Sequence, residues 1–202
     1  MKDGTSLDQV RTLYPEPTDV ATRKVLDRLD RRCQHFIGLS PFLVIASSAE
    51  AGADATPRGD APGFVAIVDD RTLLIPDRRG NNRIDTLTNV ARNPAVGILF
   101  MVPGINETLR VNGTGEIVFD PTVLAPMSAQ GKAPTSALRV SVREAFFHCG
   151  KALIRSRLWH ADSQIDRREF PSLGRIISDQ VAGVDAEAAD ENLEEAYRSR
   201  LY

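Results

Sequence analysis

Between residues 42 and 148 the chain is a succession of short β-favouring apolar runs separated by turn residues, and this pattern limits the folds open to it. Phe42-Leu43-Val44-Ile45-Ala46-Ser47-Ser48 is the first run, and residues 63–68 and 72–75 follow, with turns expected at residues 50–53 and at Asp69-Asp70. Together they predict three antiparallel strands joined by short turns. Residues 95–102 are apolar throughout and read as a central strand, and residues 108–119 as two β segments around Asn112-Gly113. Leu138, Val140 and Val142 alternate with Arg139, Ser141 and Arg143, a half-buried strand that Phe146-Phe147-His148 continues. Six or seven short strands with few helices between them predict a mainly β, antiparallel barrel decorated by helices at both ends.

Helical periodicity is found mostly outside these runs. Val20, Val25, Leu26, Leu29, Cys33 and Phe36 recur at three- and four-residue spacing, predicting one amphipathic helix over residues 19–36. Residues 81–92 switch to the same period, with Ile84, Leu87, Val90 and Ala91 on one face, and Asn93-Pro94 stops them. Asp120-Pro121 is an N-cap followed by a first-turn proline. Residues 149–159 predict a basic helix in which Lys151, Arg155 and Trp159 share a face, and residues 171–181 and 186–201 predict two more helices. The resulting division is an N-terminal helical extension over 1–41, a barrel domain over 42–160 and a C-terminal helical extension over 161–202 packed on the barrel.

A chain of 202 residues, 42% hydrophobic, has apolar material for one well-buried core. Its net charge of −2 supplies no global field for nucleic acid or an anionic membrane, so any anion site must be local. Residues 1–11 carry Lys2, Asp3, Asp8 and Arg11 without an apolar stretch, and no run approaches the ~18 to 20 apolar residues of a spanning helix. Two distant cysteines, Cys33 and Cys149, fit no disulfide framework and read as small core residues in a reducing, cytoplasmic setting.

Two constellations carry potential chemistry. Arg58 lies between Pro57 and Gly59 at an expected turn, and Asn81, Asn82 and Arg83 lie at an expected helix start, where free backbone N–H groups and a guanidinium can hold a terminal phosphate. The same residues are compatible with an ordinary polar turn of solvated arginines, and Arg78 and Arg79 are read as surface residues. Lys151, Arg155 and Arg157 stand within nine residues of one another and of Trp159, the chain's single tryptophan, so an indole and cations could flank a planar electron-poor ring. A core tryptophan with snorkelling basic neighbours is the competing reading. The histidines His35, His148 and His160 have no metal-ligand spacing, and His148 and Cys149 face opposite ways along a strand, which separates a nucleophile from its base.

Leu-Leu-Ile-Pro-Asp-Arg-Arg-Gly-Asn-Asn-Arg, Glu-Thr-Leu-Arg-Val-Asn-Gly and Phe-Phe-His-Cys-Gly-Lys-Ala-Leu-Ile-Arg-Ser-Arg-Leu-Trp resemble signatures of the pyridoxamine 5′-phosphate oxidase-like family of FMN-binding split barrels, in one of its bacterial branches. The resemblance spans residues 42–159. It implies a split β-barrel, an FMN site at a homodimer interface, and flavin-dependent oxidoreductase activity on a small-molecule substrate, with a nicotinamide nucleotide as a candidate donor. Carried over residue by residue, it assigns the FMN phosphate to Arg58, Asn81, Asn82 and Arg83, and the ring edge to Ile75, Pro76 and Asp77. It assigns the partner subunit's approach to Lys151, Arg155, Arg157 and Trp159, and it names no catalytic residue. The substrate signature of the true pyridoxamine phosphate oxidase is not found after residue 160, which argues against vitamin B6 oxidation. A non-catalytic flavin module, a deazaflavin binder, and a haem binder using His148 or His160 are the alternatives within the same fold.

Overall fold

The computed structural model describes residues 6–50 and 52–202. The first five residues of the expected N-terminal extension, and Ala51 in the expected turn at 50–53, lie outside the described residues. The strands are β1 (Phe42–Ala49), β2 (Gly52–Gly59), β3 (Ala66–Asp69), β4 (Thr72–Asp77), β5 (Ala95–Met101), β6 (Thr108–Val118) and β7 (Ser136–His148). They form one antiparallel sheet in the order β2-β1-β5-β6-β7-β4-β3. The expected mainly β, antiparallel split barrel with helices at both ends is therefore present.

The sheet curls without closing. Four strands separate β2 from β4 in its order, yet Arg58 of β2 reaches Asp77 of β4 at 3.3 Å. A second link joins the segments just beyond those strands, where Arg78 Nε donates to Asp60 Oδ2 at 2.7 Å. Side chains, not a backbone ladder, thus bridge the split. Pro57 lies in the edge strand β2, where a missing N–H costs no central ladder bond.

The concave face is packed with Leu43, Ile45, Leu73, Ile75, Ile98, Phe100, Leu109, Val111 and Val140, each at most 1% exposed. At about 1.5 to 3 kcal/mol per large side chain, this alternation of inward positions is the main force holding the sheet. Cys33, Phe36 and Ile37 of helix α3 (Arg31–Leu39) join the same cluster. Helix α4 (Asp85–Arg92) covers the other side of the split: Val90 enters the core, and Asn89 Nδ2 donates to Asp54 Oδ2 at 2.6 Å and to Ser47 Oγ at 3.1 Å. It lies close to the sheet at Gly115, where a Cβ would meet Leu138 Cδ1 at 2.9 Å and Val90 Cγ1 at 3.2 Å.

Several local expectations change. The helix expected over 19–36 is broken into α2 (Asp19–Arg23) and α3, because Leu26 exchanges backbone hydrogen bonds with Ala145 of β7 and Asp30 caps a new start at Arg32 and Cys33. An earlier helix, α1 (Leu7–Leu13), was not expected; a reciprocal Ser6 and Gln9 capping box starts it, and it buries no side chain. The three strands expected over 42–48, 63–68 and 72–75 are β1, β3 and β4; β3 and β4 do pair, but β1 lies toward the opposite edge, where its hairpin partner is β2, a strand not expected from the sequence. Residues 108–118 form one strand with a bulge near Asn112-Gly113, not two. The basic helix is only Lys151–Ser156 (α6), ended by Arg157 in the left-handed region at φ 54°, so Trp159 does not share its face. Asp120 does cap α5 (Pro121–Leu124), as expected. The two C-terminal helices are present as α7 (Leu173–Gln180) and α8 (Ala186–Ser199), which pack on each other. Among the described residues no helix is long and apolar enough to cross a membrane.

Cys33 is buried, and desolvation together with the neighbouring Asp30 raises its thiol to about 12. Cys149 corrects the expectation of two core cysteines: it is exposed beyond the end of β7, and the Lys151 N–H, with the charges of Lys151 and Lys24, lowers its thiol pKa.

Candidate functional site

A cavity of about 650 Å³ opens at the split, between the end of β4, the turn leading to α4, and the loop before β7. This is within the range of pockets that take a cofactor or a small ligand. Of the residues singled out in the sequence, Arg58, Asp77, Asn81 and Asn82 line it. Ile75 and Pro76 line an adjoining hollow of about 10 Å³ with Thr86. The three ring-edge residues and three of the four phosphate residues of the expectation therefore stand around one cavity and its adjoining hollow.

Arg58 corrects its own expected setting. It is not on a turn but in the extended edge strand β2, opposite Leu43, and it reaches the cavity because β2 curls toward β4. The helix start also lies further on than expected, at Asp85 with Ile84 as its cap. Asn82 and Ile84 hold φ of 61° and 50°, and both line the cavity. Asparagine tolerates that region; for a β-branched isoleucine it stores strain of order 1 to 3 kcal/mol, of the kind that gathers at ligand sites. No side chain caps α4, so the N–H groups of its first turn are open to an anion.

Arg83 does not line the cavity. Its Nε pairs with Asp85 Oδ2 at 2.9 Å, and its side chain is 74% exposed. Arg78 and Arg79, expected on the surface, line the cavity instead. Arg78 is the more buried arginine of this turn because Asp60 and the Met127 carbonyl, each at 2.7 Å, receive its guanidinium. Lys151, Arg155, Arg157 and Trp159 lie at the far end of the long β6–β7 ladder, where Trp159 Nε1 donates to the Ile105 carbonyl at 2.9 Å and Arg157 pairs with Asp162 at 2.7 Å. The cavity meets the opposite end of that ladder at Phe119 and Ser136, roughly 30 Å away at about 3.3 Å per strand residue. One chain cannot bring the two constellations together.

Reasoning from sequence missed Ile84, Leu87, Phe119, Lys132 and Tyr202, all of which line the cavity. Nothing local in the sequence marks Lys132 or Tyr202 as belonging to a site. Thr86 was also missed. It is 1% exposed, and its Oγ1 has no hydrogen-bond partner, an arrangement that costs free energy unless a ligand supplies one.

The electrostatics of the wall are mixed. Burial raises the Asp77 carboxyl above the usual range, and the neighbouring Arg58 only partly opposes this. Asp60 goes the other way: burial pushes it up, but hydrogen bonds from Tyr202, the Ala61 N–H and Arg78 outweigh that and hold it below the usual range. A lowered aspartate stabilises the fold above its unfolded value of about 3.9, and this contribution is lost as pH falls through the lower folded value. Asp60→Asn should therefore flatten the acid limb of stability and, by leaving Arg78 poorly paired, cost about 3 kcal/mol at neutral pH. Urea midpoints at neutral pH and about pH 3 check both statements; equal acid sensitivity in the two proteins would refute the first.

The family model described as pyridoxamine 5′-phosphate oxidase matches residues 29–149 of the chain. No curated protein matches it. Among solved structures, HupZ of Group A Streptococcus is 20% identical over 58% of this chain and 92% of its own, with a TM-score of 0.47. An FMN-binding protein of Syntrophomonas wolfei is 8% identical over 60% and 84%, with a TM-score of 0.45. The FAD binding protein of Mycobacterium smegmatis is 17% identical over 61% and 97%, with a TM-score of 0.43.

Proposed function

The chain belongs to the pyridoxamine 5′-phosphate oxidase family, and from that membership we propose that it binds FMN in the cavity at the split and acts as a flavin-dependent oxidoreductase. Residues 42–160 would be the flavin-binding unit, with 1–41 and 161–202 as its extensions, in a cytoplasmic setting. The observation that carries this reading is the meeting of Arg58, Asn81 and Asn82 with the uncapped start of α4 around one cavity of about 650 Å³.

The donor set fits the cofactor. A phosphate monoester carries a charge near −2 and accepts several hydrogen bonds; Arg58, Arg79 and Lys132 offer cations, and the first turn of α4 offers backbone N–H groups. Asn81 and Asn82 offer amide donors and acceptors, and the orphaned Thr86 hydroxyl offers one more near Ile75 and Pro76. FMN, when bound, supplies the transfer of electrons or hydride. The chain positions it, and the apolar Ile84, Leu87 and Phe119 in the wall limit the access of water. Asp77 holds a proton at its carboxyl more readily than an ordinary aspartate.

The second wall of the site would come from another copy of the chain. Lys151, Arg155, Arg157 and Trp159 are too far along β6–β7 to serve their own cavity, and the exposed Ile154 and Leu158 between them give that segment apolar surface to bury in a homodimer. A small-molecule redox substrate would enter between the two copies.

Purified protein incubated with FMN and freed of excess by gel filtration should be yellow, with one flavin per chain, and should run as a dimer at micromolar concentration. A colourless protein would refute the flavin reading, and a yellow monomer would refute the shared site alone. Anaerobic reduction by a nicotinamide nucleotide then separates an enzyme from a flavin store: a flavin that no donor reduces retires the oxidoreductase assignment.

A further inference from the structure

The chain after α8 returns to the cavity. Tyr202 Oη donates to Asp60 Oδ1 at 2.6 Å, and Lys132 Nζ donates to the main-chain oxygen of Tyr202 at 2.9 Å. The Tyr202 ring lies 5.8 Å from the Arg78 guanidinium carbon. These anchors come from three places in the fold: Asp60 follows β2, Arg78 follows β4, and Lys132 precedes β7. A single residue therefore ties together the two sides of the split and the loop facing them, although the helix that delivers it buries no residue of its own.

The carboxylate of Asp60 is fully engaged by this arrangement. Its Oδ2 receives Arg78, and its Oδ1 receives both the Ala61 N–H at 2.7 Å and the Tyr202 hydroxyl. Hydrogen bonds to an ionised and largely buried carboxylate are among the stronger ones in a protein. Arg78 is already paired by Asp60 and the Met127 carbonyl, so Tyr202 is not required to neutralise a charge. What it adds is a wall: Tyr202 lines the cavity, half-buried, and the space remains about 650 Å³ with it in position. It encloses room for a ligand and does not fill it. Lys132, held by the same residue, is paired with no Asp or Glu side chain among the described residues and also lines the cavity.

We propose that Tyr202 is a latched wall of the cavity, fastened by Asp60 and Lys132, and that it retains a planar aromatic ligand by closing the side from which that ligand would leave. The latch stands on its own contacts; naming FMN as the ligand rests on the function proposed above. An aromatic side chain adds contact area at low cost in ordering, and a residue that closes a site acts mainly on the rate of release.

The test uses the full chain loaded with FMN and follows flavin fluorescence after mixing with excess competing apoflavoprotein. Tyr202→Phe keeps the ring and removes the bond to Asp60, so release should quicken about three- to tenfold; Tyr202→Ala removes both, and release should quicken by tenfold or more, with association changed by less than about twofold. Release at the wild-type rate in both variants overturns the proposal. So does faster association or tighter binding in Tyr202→Ala, which would make Tyr202 an obstruction. A separate measurement reads the latch without any ligand: in protein labelled with fluorotyrosine, the Tyr202 fluorine signal, identified by its loss in Tyr202→Phe, should move to the position of an exposed tyrosine on Asp60→Ala, which removes both carboxylate oxygens. If that signal is already there in the wild type, no latch exists and the proposal falls. If wild-type protein binds no FMN while the signal behaves as expected, the flavin reading fails and the latch is upheld.

Discussion

Arg58→Ala is expected to weaken FMN binding about 10- to 100-fold, while Arg83→Ala changes it by less than about threefold. The family resemblance treats these two arginines alike, but the structure separates them. Arg58 lines the cavity with a side chain 24% exposed, whereas Arg83 is 74% exposed, pairs with Asp85, and does not line it. A charge-assisted hydrogen bond from a partly buried guanidinium to phosphate is worth about 1.5 to 3 kcal/mol net, and each 1.4 kcal/mol is a factor of ten in affinity. An exposed pair such as Arg83–Asp85 contributes about 1 kcal/mol at most. Arg58 also has a competitor in the free protein, because Asp77 holds it at 3.3 Å and must release it to a phosphate. Fluorescence titration of the two single variants decides the matter, since bound flavin is distinguished by its emission. Equal losses in both variants would mean that the turn reorganises to bring Arg83 inward, and unchanged binding in Arg58→Ala would remove the phosphate from this wall.

Gly113→Ala should be among the most destabilising single substitutions in the chain, at about 3 kcal/mol or more. A Cβ at this position would stand 2.1 Å from the Ser141 carbonyl oxygen and 3.0 Å from its carbon. Both are backbone atoms of β7, so no side-chain rotation relieves the clash. The site is the register shift between β6 and β7, where Asn112 pairs with Glu144 and Gly113 with Val142. Relief would require the two central strands to part at the bulge, and overpacking of this kind typically costs 1 to 3 kcal/mol even when only side chains must move. With a total stability of about 5 to 15 kcal/mol, such a loss lowers the melting temperature of a chain of this length by roughly 6 to 12 °C. Urea unfolding with an unchanged slope and a lower midpoint is the expected result. A midpoint within error of wild type would show that β6 and β7 can shift register without cost.

The strands other than β2 were legible because a half-buried antiparallel strand writes its burial into every second residue, whereas Gly52–Gly59 of β2 is largely exposed and shows no such pattern. Leu138, Val140 and Val142 carry the pattern in β7, and all three are buried. The break in the first long helix was not legible, because its apolar spacing runs straight through residues 24–30. Only the docking of Leu26 on Ala145, more than a hundred residues later, makes the extended geometry preferable. The same limit applies within the arginine turn. Arg78, Arg79 and Arg83 are equivalent by composition, and for Arg78 and Arg83 the direction taken is set by the carboxylate each finds. Asp60 draws Arg78 in, and Asp85 holds Arg83 out.

By itself the sequence determined the antiparallel, mainly β class, the polar turn of Asn81 and Asn82 ahead of a helix, and the capping of α5 by Asp120. These follow from neighbours a few residues apart, whose periodicity and hydrogen-bonding capacity act before any tertiary contact forms. The tertiary structure alone decided that the sheet order returns β2 toward β4, that Arg58 serves the cavity from a strand, and that Thr86, Lys132 and Tyr202 belong to the same site. It also decided that Lys151 and Trp159 do not reach that site within one chain. Each of these depends on the curl of the sheet, which brings together residues far apart along the chain through ion pairs and packing that no local pattern encodes.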